Sequence, residues 1–381
     1  MSLSVLFVLL LAAAVAYANG SNDVSKGIAT LAGSGLTGYR RAILWGTLWT
    51  GLGGFAGALM AGAMVTTFGN SLLASGVAPT FTAAVATILG ATAWVAIATR
   101  TGLPVSTTHA IVGSIAGVGS AAYGLAGVRW SSFGGKIALP LLLSPIVALG
   151  VTGVALRAWR FLAQRYGTEP ECVCAEFVTA PVFGGMGSDG TCAVAAIPKP
   201  TMEMTIDSQQ SCTIEHPAAL RLTINHLHWL TSGTTAFSRA MNDAPKMVAL
   251  VVAAASLLGG NPNIRLAGFV VVTLGMVAGS WFTGRRVTTV LAEKVTCMNH
   301  REGFVANLVT AALIGPGAAL GLPMSTTHVS SGAIIAIGAE NRAGLNWNTV
   351  RDLLLAWVVT LPAAALLGIL FYQLLRLSRL G

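Results

Sequence analysis

The chain reads as long apolar runs separated by short polar punctuation. Stretches near 3–18, 43–66, 80–100, 136–156, 245–259, 266–283, 303–320 and 350–375 are candidate spanning helices, since a helix needs about 20 mostly apolar residues to cross a hydrocarbon core. The first run could pass for a signal peptide, because "AVAYA" ends in small residues. No Lys or Arg precedes Lys26, so the basic leader region is missing and the run is read as a spanning helix.

Between residues 159 and 217 the pattern changes. Seven of the 13 acidic residues fall there, with several Pro and Gly and no long apolar run. An aqueous loop or small inserted domain is expected, and Arg157, Arg160 and Arg165 at its entry favour the cytoplasmic side. Its Cys172, Cys174, Cys192 and Cys212, with His216, match no strong zinc spacing. Reduced thiols are expected, with metal binding by these residues the open alternative.

Composition agrees with the pattern. The chain is 54% hydrophobic and 9% charged, with a mean hydropathy of +0.73, whereas a soluble domain carries roughly 25% charged residues. An integral membrane protein follows, with an inner or cell membrane expected. The net charge of +9 would suggest nucleic acid in a soluble protein. Here Arg40, Arg41, Arg157, Arg160, Arg285 and Arg286 sit at helix ends, where they position loops, so no nucleic-acid partner is expected.

The chain writes one unit twice. "GLPVSTTHAIVG" at 102–113 returns as "GLPMSTTHVSSG" at 321–332. "NGSNDVSKG" at 19–27 aligns with "SRAMNDAPKM" at 238–247, pairing Asn22 with Asn242, Asp23 with Asp243 and Lys26 with Lys246. Three segments result: a first membrane repeat at 1–158, the insert at 159–217 and a second repeat at 218–381.

Acidic residues are scarce outside the insert, and before Glu169 the only carboxylate is Asp23. A charge at bilayer depth is costly, so such residues usually face a cavity or a partner. One Asp could merely cap a helix, but Asp243 repeats it in the same context. "NGSND" and the Pro245 after Asn242-Asp243 predict broken helices, whose carbonyls and carboxylates would suit a dehydrated cation.

The Ser-Thr-Thr-His motifs have the opposite sign. Ser106 and Ser325 can cap new helices, and the helix starts offer free N–H groups and a partial positive charge. With the hydroxyls of Thr107, Thr108, Thr326 and Thr327, two facing starts could cradle a tetrahedral oxyanion; a plain capped helix is the bland alternative. His109 and His328 are either packing residues or proton carriers. Lys26 and Lys246 can neutralise the aspartates, lend charge to an anion or snorkel to the interface.

Duplicated halves with paired interrupted helices and ionisable groups are the pattern of a secondary transporter. The two motif pairs resemble the signatures of the inorganic phosphate transporter (PiT) family, in that family's order across the whole membrane portion. The resemblance implies an all-α polytopic membrane protein of two inverted repeats, with discontinuous half-helices meeting near the bilayer midplane. It implies import of inorganic phosphate by symport with Na+ or H+, with no enzymatic step and no cofactor beyond the coupling ion. By position, Asp23, Asp243, Asn22 and Asn242 would bind the cation. Ser106, Thr107, Thr108, Ser325, Thr326 and Thr327 would hold phosphate; from their own chemistry rather than the resemblance, Lys26, Lys246, His109 and His328 are candidate charge or proton partners. Two departures stand out: Ala240-Met241 where the family favours Gly-Ala, and lysines where many members have Asn. The expected partners are inorganic phosphate and membrane lipid, with homodimerisation left open. A sulfate carrier of the same architecture is the nearest alternative, ahead of an anion channel or a sensor.

Overall fold

The computed structural model describes residues 3–60, 65, 68, 72–166, 171–178, 201–215, 219–259, 263–341 and 344–378. The first copy contains α1 (Leu3–Asp23), α2 (Ser25–Gly33), α3 (Tyr39–Met60), α4 (Phe81–Thr101), α5 (Thr107–Tyr123) and α6 (Leu139–Tyr166). The insert contributes β1 (Cys172–Val178), β2 (Thr201–Asp207), α7 (Gln209–Glu215) and β3 (Leu220–Thr223). The second copy follows with α8 (Ile224–Ser256), α9 (Ile264–Thr283), α10 (His300–Ala319), α11 (Thr326–Glu340) and α12 (Trp347–Leu377). Among the described residues, seven helical segments are long and apolar enough to cross a membrane. The molecule is an all-α polytopic membrane protein, apart from the small sheet of the insert.

The repeated Gly-Leu-Pro now has a structural reason. Gly102 (φ 81°) and Gly321 (φ 72°) sit in the left-handed region where glycine is favoured. In the first copy Leu103 N–H reaches back to Ala98 O at 2.8 Å and Gly102 N–H to Thr99 O at 3.1 Å. The second copy repeats this with Leu322 to Gly317 O at 2.9 Å and Gly321 to Ala318 O at 3.0 Å. This double bond closes α4 and α10. Pro104 and Pro323 prevent the helices from continuing, and after a short extended link α5 and α11 begin.

The copies are held together by exchange. A Cβ on Gly20 would lie 2.0 Å from Met276 O, and one on Gly279 would lie 2.0 Å from Tyr17 O, so α1 and α9 touch backbone to backbone. A Cβ on Gly53 would lie 2.1 Å from Phe237 O, which places α3 against α8 in the same way. The first helix of each copy thus packs on the second long helix of the other. The later helices follow suit: Gly113 meets Leu361 O on α12, and Gly332 meets Pro145 O on α6. Small residues at such contacts let helices approach where lipid offers no hydrophobic drive.

The expected helix breaks are mild. Val24, between α1 and α2, keeps helical angles (φ −55°, ψ −31°), and its N–H still reaches Gly20 O at 3.2 Å. In the second copy α8 runs unbroken through Asn242, Asp243 and Pro245. The apolar run at 245–259 is largely the end of that helix rather than a separate span. The polar side chains that signalled a break also bond to other segments, as Asn22 does with Leu103 O at 2.9 Å and Asn242 with Met324 O at 3.1 Å.

Residues 157–227 form a compact unit of their own, distinct from the unit made by 1–156 and 228–381. The insert unit carries an antiparallel sheet in the order β2-β1-β3, with Cys172 opposite both Asp207 and Thr223. The expectation of reduced thiols is corrected here. Cys174 on β1 forms a disulfide with Cys212 on α7, with Cα atoms 6.2 Å apart, because α7 packs back on β1. Cys172 Sγ lies 3.7 Å from Cys174 Sγ, while Cys192 and His216 lie outside the described residues.

Candidate functional site

The two Ser-Thr-Thr-His motifs meet. Ser106 Oγ accepts the His109 N–H and Ser325 Oγ accepts the His328 N–H, both at 3.3 Å. Ser325 Oγ in turn donates to Ser106 Oγ at 3.0 Å. The starts are cross-braced: Thr327 Oγ1 donates to Val105 O at 2.7 Å, and Thr108 Oγ1 donates to Met324 O at 3.4 Å. Thr326 is buried with them. Two partial positive charges are therefore brought face to face in the interior.

The charged motifs lie against these starts. Lys26 Nζ donates to Asp23 Oδ1 at 2.5 Å and to Asn22 Oδ1 at 2.7 Å. Lys246 Nζ donates to Asp243 Oδ1 at 3.1 Å, to Thr108 Oγ1 at 2.7 Å and to Met324 O at 3.1 Å. Asn242 Nδ2 donates to Asp243 Oδ1 at 2.9 Å and to Met324 O at 3.1 Å. Asn22 ties α1 to the link before α5: it donates to Leu103 O at 2.9 Å and accepts from Val105 N–H at 3.1 Å. The lysines are thus ion-pair partners of the aspartates, neither snorkelling outward nor free.

Two residues at the centre escaped the sequence reading. Asn19 Nδ2 lies 2.9 Å from Asp23 Oδ2, 3.0 Å from Thr107 Oγ1 and 3.2 Å from Asp243 Oδ2, so its two N–H groups are shared among three oxygens and one amide joins both copies. Arg239 Nη1 donates to Asn19 Oδ1 at 3.2 Å and its Nη2 to Thr50 Oγ1 at 2.6 Å. Arg239 is fully buried. The offset that pairs Asn22 with Asn242 also pairs Asn19 with Arg239, 220 residues apart, and that register was the signal available.

His109 and His328 stand to one side. Their rings lie against each other, tilted by 48° with centroids 4.5 Å apart, and the His328 centroid also lies 4.2 Å from that of the Trp357 ring. His328 Nδ1 approaches Leu141 O at 3.2 Å. Neither ring hydrogen-bonds to the lysines or aspartates among the described residues; both line a mainly apolar cavity of about 670 Å³. A second cavity of about 610 Å³ is lined by Ser21, Thr99, Arg100, Thr283, Arg285 and Arg286 among others. Thr99 Oγ1 accepts from Asn22 Nδ2 at 3.1 Å, so this basic vestibule adjoins the site.

A membrane chain of two exchanged copies, with facing helix starts over a buried charge cluster, is a membrane transport protein in its build. The chain belongs to the phosphate transporter family, whose model matches residues 19–368. It is 28% identical over 401 residues to a Pyrococcus abyssi protein described as a phosphate permease, covering 97% of each chain. It is 26% identical to the chloroplastic inorganic phosphate transporter 2-1 of Arabidopsis thaliana, covering 92% of this chain and 69% of that one. A solved structure titled as the sodium-dependent phosphate transporter shares the fold, with a TM-score of 0.77 at 20% identity, over 99% of this chain and 100% of that chain.

Proposed function

We propose that the chain imports inorganic phosphate by cation-coupled symport, with Na+ or H+ as the coupling ion, in the cell membrane. The membrane segments 1–158 and 218–381 act as inverted repeats, and one bundle rocks against the other to expose one site alternately to each side. The observation that carries this reading is the Ser106–Ser325 contact at 3.0 Å, which sets two helix starts against each other beside Asp23, Lys26, Asp243 and Lys246, in a chain of the phosphate transporter family.

In this reading Ser106, Thr107, Thr108, Ser325, Thr326 and Thr327 hold phosphate through hydroxyls and helix-start N–H groups. Asp23, Asp243, Asn22 and Asn242 form the cation side. Burying a charged anion at bilayer depth is costly, and in this reading a cation entering with it offsets that cost and couples the two. Opening the starts requires the Ser106–Ser325 bond to give way to the substrate.

The test is uptake of labelled phosphate by the purified chain in liposomes under an imposed Na+ gradient and, separately, an imposed pH gradient. Uptake under either, unaffected by excess sulfate, supports a phosphate carrier. No uptake under either gradient sinks the reading, and block by sulfate turns it into a general oxyanion carrier.

A further inference from the structure

The insert unit has little apolar interior. Among the described residues its buried cluster consists of Cys172, Cys174, Cys212 and Ala219, three sulfurs and one methyl. A small unit with so thin a core is usually stapled by a disulfide or a metal ion. Side chains alternate across a strand, so Cys172 and Cys174 share one face of β1, and α7 brings Cys212 to that face.

The Cys174–Cys212 bridge uses two of these sulfurs and leaves the third without a structural task. Cys172 is 2% exposed, and its Sγ lies 3.7 Å from Cys174 Sγ. All three sulfurs lie within 4.8 Å of one another. A metal–thiolate bond of about 2.3 Å sets ligating sulfurs about 3.8–4.0 Å apart in tetrahedral or trigonal geometry, so the cluster has the spacing of sulfurs around one ion. Arg221 stands opposite Cys174 in the β1–β3 pair, which puts a positive charge on the sulfur face, where it offsets thiolate charge.

We propose that Cys172, Cys174 and Cys212 form a redox-gated site for one thiophilic d10 cation of the zinc(II) or copper(I) class. The bridge is the closed form of the site, with two of its ligands bonded to each other. A dithiol reductant opens it: two electrons and two protons turn the bridge into two thiols, and the dithiol becomes its own disulfide. The cation then displaces a proton from each of the three thiols and is held by three thiolates. Soft sulfur ligands select such ions over magnesium or calcium. Arg157, Arg160 and Arg165 favour the cytoplasmic side for this unit, where thiols are kept reduced, so the metal-bound form is the cellular one.

The experiment uses the purified full chain in detergent, reduced under argon with a water-soluble phosphine, which leaves as its oxide with oxygen from water. The reduced chain is dialysed separately against zinc(II) and copper(I). Elemental analysis should find about one equivalent of either ion per chain, and the better retained ion identifies the member of the class. The oxidised chain, its bridge verified by peptide mapping, should retain almost none. Cys172→Ser leaves the bridging pair intact and should weaken binding about a hundredfold, whereas Cys297→Ser, at the exposed cysteine, should bind as the wild type does. Cobalt(II) on the reduced wild type should show thiolate-to-metal charge-transfer absorption, a readout that does not depend on any variant folding. Retention of neither ion, absence of that absorption, or equal binding by Cys172→Ser overturns the site; equal binding by the oxidised chain overturns the gating. None of these readouts involves transport, so the phosphate-carrier reading stands or falls separately.

Discussion

Ser325 donates to Ser106 across 3.0 Å, and the two serines are the same position of the two copies, 219 residues apart. Each also caps its own helix. Replacing either with Ala should cost about 1 kcal/mol of stability, the usual worth of a cap, and raise the KM for phosphate. Because the serines share a bond, the double variant should lose less than the sum of the singles. Strict additivity in thermal unfolding and uptake would separate the two helix starts functionally.

Lys26→Met leaves Asp23 buried without its partner. Breaking one side of a buried pair costs about 3–5 kcal/mol, so the detergent-solubilised variant should melt well below the wild type. Adding Asp23→Asn should recover most of that loss while uptake stays absent. A Lys26→Met variant that melts normally would mean the pair is solvated in the protein.

Gly20→Ala pushes a methyl to 2.0 Å from Met276 O between α1 and α9. Overpacking of this kind costs about 1–3 kcal/mol, and the neighbour here is backbone, which cannot rotate away. Gly150→Ala, with nothing within 4 Å, is the control and should melt at or slightly above the wild type. Equal melting of the two variants would contradict the close helix contact.

Arg100, Arg285 and Arg286 are exposed around the vestibule beside Thr99. A basic mouth raises the local anion concentration and the encounter rate, and salt screens it. Neutralising Arg285 and Arg286 to Gln should lower kcat/KM for phosphate at low ionic strength and flatten its salt dependence. A salt profile identical to the wild type would remove the vestibule from the substrate path.

Cys297 is exposed, whereas Cys172 is buried and Cys174 is bridged to Cys212. Burial pushes the Cys172 thiol above the ordinary thiol range, partly offset by the Arg221 charge. The thiolate is the reactive form, so at neutral pH iodoacetamide should label Cys297 first, and Cys172 labelling should grow as pH rises beyond the usual thiol range. Peptide mapping checks this; prior labelling of Cys172 would contradict its burial.

Much of the site was legible because the chain repeats itself. The shared register of Asn22-Asp23 with Asn242-Asp243, and of Ser106 with Ser325, marked the positions that the fold brings together. Asn19 and Arg239 sit in the same register but differ in type, so a search for identical residues passed over them. The broken helices misled for a related reason: Asn, Gly and Pro lower helix propensity locally, yet the cross-helix bonds of Asn19 and Asn22 and the packing of Gly20 on Met276 outweigh that preference. His109 and His328 looked like partners of the charges because sequence spacing gives the face of one helix and says nothing of what the next helix places there.

Apolar run length, the scarcity of carboxylates and the doubled motifs are properties of the chain alone, and they determined the membrane class, the two copies and the capped helix starts. The Gly-Leu-Pro stop and the Ser cap are local hydrogen-bond devices within a few residues, so they could be read without a fold. Only the tertiary structure decided that each copy packs its first helix on the other copy's second long helix. It alone decided that Asn19 joins Asp23 to Asp243, and that Arg239 lies buried beside them. Those relations span about 220 residues, and they arise from small residues letting backbones touch across the copies.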